Sequence, residues 1–221
     1  MQKFGNKKSS GDYIFLVDDD NVICRDTIHK LVRILKENEN VGICGPIAYY
    51  YRYPNKIWCA GAKLIMPIFM HRHFLQNTTV KYSLQEYLIE CDYIPNAFMI
   101  KKSITKSVGF FDERLPIGWE ECDFALRIKK KGYKILVLTT AKIFHDIPAT
   151  IDVHITEKRA YWRGRNRIIF YKKHMPLRCF FIFIDLLGFI ILLLKTEKMS
   201  KNIIFQYIRG IKDGIQQKLN A

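Results

Sequence analysis

The sequence predicts an α/β domain, because two short apolar runs suited to buried strands flank a stretch with helical periodicity. Residues 13–17, YIFLV, are continuously apolar and rich in β-branched and aromatic side chains, the pattern of a strand covered on both faces. In residues 27–38 the apolar positions Ile28, Leu31, Val32 and Leu35 recur at helical spacing, and Asp26 or Thr27 is placed to cap the start. Residues 41–47 return to the buried-strand pattern, so the order strand, helix, strand opens an α/β layer. With 221 residues, 49% of them hydrophobic and 14% aromatic, the chain can bury a core; a disordered tail lacks that apolar surface.

The later elements follow in order. Residues 48–90 are aromatic and irregular and read as loops and short strands, with a possible helix at 84–90. A strand is expected over 92–100 and a short helix over 102–108, stopped by Gly109. Residues 120–131 make a better helix, with acids in the first turn, lysines in the last and Gly132 as the left-handed terminator. A strand is expected at 133–138, which 141–145 extends or follows as another, and a basic, aromatic helix at 155–174. Residues 179–194 are apolar apart from Asp185 and Gly188. That run is shorter than the roughly 20 residues a membrane span needs, so it reads as an interfacial helix on anionic lipid. No linker or internal repeat is visible. The expected division is a catalytic α/β domain over 1–150 and a basic, apolar helical tail over 151–221.

A net charge of +15 calls for an anionic partner: nucleic acid, a phospholipid surface or a phosphorylated small molecule. The basic residues crowd 158–178, next to the apolar run, which suits lipid; with no nucleic-acid-binding motif present, a nucleic-acid partner is not expected. The six cysteines are scattered, without a C-x-x-C pair, and read as reduced thiols on the cytoplasmic side of the membrane. The first residues do not form a signal peptide, because their short apolar stretch runs directly into Asp18, Asp19 and Asp20.

Asp18 and Asp20 stand at i and i+2 just past a strand, so continued extension points both carboxylates to one side. Paired carboxylates suit Mg²⁺ or Mn²⁺ and leave positions open for substrate phosphate oxygens. A solvated acidic turn leading into the next helix is the competing reading. Asp123 and Arg127 are spaced for an i to i+4 ion pair. Trp119 offers either a face for a sugar ring or a core side chain. The acids Glu120 and Glu121 suit the first turn of a helix electrostatically whatever else they do.

The stretch GDYIFLVDDDNVI resembles the strand and D-x-D motif of family 2 glycosyltransferases with the GT-A fold, of the rhamnosyltransferase-like kind. The run NAFMIKKSITKSVGFFDERLPIGWEECDFALRIKKKGYKILVLTTAKIFHD is similar to the acceptor-side block of the same family, with its motifs in the expected order. The resemblance implies a Rossmann-like, mostly parallel sheet flanked by helices, and metal-dependent, inverting transfer from a nucleotide-sugar donor. The acceptor would be a saccharide or lipid-linked molecule, in cell-surface glycan or polysaccharide synthesis.

It also implies roles for individual residues. Asp18 and Asp20 carry the metal and donor diphosphate, with Asp19 a possible substitute, and His145 is a third ligand. Glu121 stands at the catalytic-base position, where Asp is usual, and Glu120 competes for the role. Asp123 orients the acceptor loop and Arg127 pairs beside it. The pair Arg165 and Asn166 is similar to an R-N pair that follows the block in the family, on a patch expected to face pyrophosphate or lipid.

Family members begin with a strand and helix unit ahead of the D-x-D motif, and this sequence enters just before the metal-binding strand, with residues 5–11 resembling the tail of that unit. A parallel sheet without those neighbours exposes edge hydrogen bonds, which leads to an expectation of weak donor binding and a possible partner chain. A catalytically inactive fragment or binding subunit at the membrane is the alternative.

Overall fold

The computed structural model describes residues 9–65, 70–147, 156–175, 177–195 and 200–218. Chain contacts divide them into two compact units. The first lies within Met1–Leu64, His71–Phe111 and Phe124–Ile151, the second within Ile65–Met70, Asp112–Asp123 and Asp152–Ala221.

The first unit is a mixed α/β layer. Its strands are β1 (Tyr13–Val17), β2 (Asn21–Ile23), β3 (Val41–Tyr50), β4 (Tyr53–Cys59), β7 (Leu88–Glu90), β8 (Ala97–Lys101) and β9 (Lys134–His145), in the order β1-β8-β3-β9-β2 with β4 also on β3 and β7 on β9. Strands β5 (Ala62–Ile65) and β6 (Met70–His73) form a separate two-stranded sheet. Strand β3 is buried along all ten residues, as its unbroken apolar run requires at the centre of a sheet. Helix α1 (Thr27–Glu37) lays Leu31, Ile34 and Leu35 on β3 and β9, where they pack with Val41, Cys44 and Leu138. Asp26 holds the N-cap position of α1, but its carboxylate pairs with Lys30 at 2.5 Å instead of capping; the Thr27 hydroxyl donates to the Lys142 carbonyl.

The expectation of a mostly parallel sheet is corrected. In the seven-stranded sheet, among the described residues, β3 and β9 run parallel, while the β1–β8, β3–β8, β2–β9, β3–β4 and β7–β9 pairs are antiparallel. The expected helix over 84–90 is replaced by β7, since Leu88, Ile89 and Glu90 find ladder partners on β9. The strand expected over 92–100 is confined to β8, and residues 141–145 extend the strand expected at 133–138 into one, β9.

Helix α2 (Lys102–Val108) ends at Gly109 as the sequence predicts. Helix α3 (Glu120–Lys130) ends before Gly132, whose φ of 87° is the left-handed terminator. The first four residues of α3 belong to the second unit and the rest to the first.

The second unit contains the loop 112–119 and helices α4 (Glu157–His174), α5 (Arg178–Lys195) and α6 (Lys201–Gln216). Thr156 caps α4 and Ser200 caps α6 through their side-chain oxygens. The sequence reading did not anticipate α6. Residues 5–8 and 155 of the sequence-based assignments lie outside the described residues.

Candidate functional site

The acidic turn between β1 and β2 is held by neighbours remote in sequence. The Asp18 backbone N–H donates to the Asn96 carbonyl at 3.2 Å, and the Asp146 N–H donates to the Asp20 carbonyl at 2.9 Å. Asn96 has φ of 78°, a left-handed conformation that asparagine tolerates better than most side chains. Its amide exchanges hydrogen bonds with that of Asn21 at 2.6 and 2.7 Å, and Asn21 Nδ2 also donates to Asp20 Oδ1 at 3.0 Å. Asp18, Asp19 and Asp20 are all exposed.

The antiparallel β2–β9 register sets Asn21 opposite His145, which brings His145 to the preceding Asp20. His145 is 7% exposed, and its Nε2 lies 3.1 Å from Asp20 Oδ2. The Trp58 ring meets the imidazole edge-on at 4.5 Å between centroids, which limits its rotation. Nδ1 of His145 is buried and has no hydrogen-bond partner among the described residues. Nε2 is therefore the nitrogen that a cation beside Asp20 would take.

A carboxylate oxygen and an imidazole nitrogen side by side fit Mn²⁺ or Mg²⁺, ions that fill their other positions with phosphate oxygens and water. Asp20 and His145 of the expected trio are thus brought together. Among the described residues no three His, Cys, Asp or Glu side chains converge on one metal position, so Asp18 does not complete a protein-only trio.

The second unit holds a different constellation. Asp112 accepts from the Arg114 backbone N–H at 2.9 Å, from the Arg114 guanidinium at 2.8 Å and from Lys173 at 2.5 Å. Burial alone would raise the Asp112 carboxyl pKa, but the hydrogen bonds from Arg114 and Lys173 outweigh it and hold the group well below its ordinary range. Asp123 is fully buried, ion-paired with Lys173 and 2.8 Å from His174 Nε2. Asp123, expected to orient the acceptor loop, sits in this ionic cluster in the first turn of α3.

Asn166 is fully buried, and its Nδ2 donates to the Ile117 carbonyl at 2.7 Å. Arg165 donates to the Arg114 carbonyl at 2.7 Å, to Asn166 Oδ1 and to Gln217. The pair expected to face pyrophosphate or lipid therefore points inward and ties the 112–119 loop to α4 and α6. Trp119 is half-buried with φ of 71°, packed on Phe170 at 4.6 Å between centroids and under the Arg167 guanidinium, in keeping with the core reading of this side chain. Arg127 donates to the Val108 and Phe110 carbonyls at 2.5 and 2.6 Å, which fixes the end of α2. Glu120 and Glu121 are half-buried in the first turn of α3.

Sequence reasoning missed Asn21 and Asn96. The available signals were an amide directly after three acids and an asparagine heading the strand of the acceptor-side block.

Three solved structures resemble the chain. GalNAc-T7 with UDP, GalNAc and Mn²⁺ is 12% identical with a TM-score of 0.51, over 77% of this chain and 35% of that one. S. aureus TarS 1–349 is 14% identical with a TM-score of 0.49, over 96% and 57%. The mannosyltransferase PcManGT from Pyrobaculum calidifontis in complex with GDP-Man and Mn²⁺ is 11% identical with a TM-score of 0.45, over 95% and 57%. The chain thus spans between 35% and 57% of the length of these structures. The likeness to GalNAc-T7 shows a shared fold. Among curated proteins none matches. The family model described as glycosyl transferase family group 2 matches residues 13–211, nearly the whole sequence, and the chain belongs to that family.

Proposed function

We propose that the chain transfers a sugar from a nucleoside-diphosphate donor to a hydroxyl of a saccharide or lipid-linked acceptor, with inversion at the anomeric carbon. The observation that carries this reading is the contact between Asp20 and His145 in a chain of this family. The UDP, GalNAc and Mn²⁺ held by GalNAc-T7 support the same donor and ion classes.

Asp20 and His145 would hold Mn²⁺ or Mg²⁺, and such an ion, when bound, neutralises the leaving diphosphate. Asn21 and Asn96 keep the Asp20 carboxylate aimed before substrate arrives, so less ordering remains at the moment of reaction. Asp18 and Asp19, both exposed, would face the donor diphosphate. Glu121 takes the proton from the acceptor hydroxyl as that oxygen attacks the anomeric carbon from the face opposite the departing diphosphate, and Glu120 is the alternative base. The pathway this serves is the assembly of a cell-surface glycan or polysaccharide.

The test is release of nucleoside diphosphate from a panel of nucleotide sugars with and without Mn²⁺. Release is expected to require the ion, to vanish in Asp20→Ala, and to fall about 10²- to 10⁴-fold in Glu121→Gln. Folded protein that binds Mn²⁺ and donor yet releases nothing would sink the catalytic reading and favour a binding subunit.

A further inference from the structure

The second unit exposes apolar side chains that its own core does not use. On α5, Phe180, Phe183 and Leu187 recur at i, i+3 and i+7, with Phe183 63% exposed. On α6, Phe205, Ile208 and Ile215 recur at i, i+3 and i+10, with Phe205 also 63% exposed. The opposite side of α6 faces inward: Tyr207, Gly210, Ile211 and Gly214 are buried, and Tyr207 stacks on Phe189 of α5 at 3.7 Å between centroids. Each helix therefore commits one side to the unit and leaves apolar side chains of another open among the described residues.

Charge decides what covers these faces. Lys201 and Lys212 fall on the same stripe of α6 as Phe205 and Ile208, at i, i+4, i+7 and i+11, and Arg209 borders it; all three cations are exposed. A protein partner with a dry apolar face would have to desolvate those ammonium groups. A second copy would bring cation against cation, in a chain whose net charge is already +15. An anionic bilayer surface takes both features at once, since apolar side chains enter the acyl boundary while lysines extend along them to the phosphates. Helix α5 has 18 residues, about 27 Å at 1.5 Å per residue, and among the described residues no helix is long and apolar enough to cross a membrane.

We infer that α5 and α6 form a docking face for anionic phospholipid, with Phe183 and Phe205 as apolar anchors and Lys201, Arg209 and Lys212 as the headgroup contacts. The inference concerns the second unit alone and does not depend on transferase activity.

The test is co-sedimentation of the full chain with vesicles of phosphatidylglycerol and phosphatidylcholine, against vesicles of phosphatidylcholine alone. Binding to the anionic vesicles is expected, reduced about tenfold or more in Phe183→Asp/Phe205→Asp through lost apolar insertion and added negative charge. Lys201→Gln/Lys212→Gln is expected to lower binding to anionic vesicles and leave binding to phosphatidylcholine unchanged. Both variants replace exposed side chains, so their melting temperatures should match that of the parent chain, which separates lost docking from lost fold. Equal binding to both vesicle types, or unchanged binding in the Phe variant, would overturn the inference. So would a dimer in solution that the Phe variant dissolves while vesicle binding persists, because the face would then belong to a second copy.

Discussion

Lys173 is shared by two carboxylates, Asp112 and Asp123, and the three side chains are 15%, 10% and 0% exposed. A buried ion cluster of this kind is indifferent to net stability when intact but sensitive to loss of one member, because the remaining charge is left desolvated. Asp112 also carries the clearest pH signature. Its folded-state pKa lies below the ordinary 3.8, so its contribution is fully present above that value and is lost as pH falls toward the folded-state pKa. Asp112→Asn is therefore expected to destabilise the protein by about 3 kcal/mol at neutral pH. It is also expected to flatten the fall in melting temperature below about pH 4, between the ordinary carboxyl pKa and the lower folded-state one. Thermal melts of both proteins across that range check the prediction; parallel curves would show that Asp112 contributes nothing through its charge.

At the scale of elements, α4 and α6 meet backbone to backbone. A Cβ on Gly214 would lie 2.6 Å from the Arg165 carbonyl oxygen, one on Gly164 2.5 Å from that of Tyr207, and one on Gly210 would collide with the Tyr161 carbonyl. Backbone cannot yield as a flexible side chain does, so Gly210→Ala must part the helices. The strain is about 1–3 kcal/mol by analogy with overpacked cores and exceeds the roughly 1 kcal/mol that alanine adds to helix propensity. The control is Gly188→Ala on α5, where an added Cβ meets nothing within 4 Å. Urea unfolding should show Gly210→Ala destabilised and Gly188→Ala unchanged or slightly stabilised.

This crossing also marks where the sequence stops being legible. Elements α1, α2 and α3 could be read because periodicity, first-turn acids and terminal glycines are local signals. Strand direction could not, because β1 finds β8 more than eighty residues later and only that pairing makes it antiparallel. Likewise, Arg165 and Asn166 look like a solvated basic face until the carbonyls of Arg114 and Ile117 are placed beside them. The acidic turn and His145 were legible through motif resemblance, whereas Asn96 depends on a positive φ that composition does not reveal.

For the whole chain, the net charge of +15 makes opposing demands that salt can separate. The folded state holds the excess cations closer together than the unfolded chain does, and their mutual repulsion opposes folding. Favourable surface pairs act the other way: Lys30 with Asp26 at 2.5 Å and Arg33 with Glu86 at 2.7 Å. Such exposed pairs contribute little, and the buried Asp112–Lys173–Asp123 cluster is screened little. Repulsion among the unpaired cations is therefore the larger screened quantity. Raising salt from about 10 mM to 150 mM, which shortens the Debye length from roughly 30 to 8 Å, is expected to raise the melting temperature. The same change should weaken adhesion to anionic vesicles, because it screens the attraction of Lys201, Arg209 and Lys212 to headgroups while leaving apolar insertion in place. Scanning calorimetry and vesicle sedimentation on one salt series would read both. A melting temperature that falls with salt would show that the favourable pairs outweigh the repulsion and that the cations are better matched in the folded chain than their excess implies.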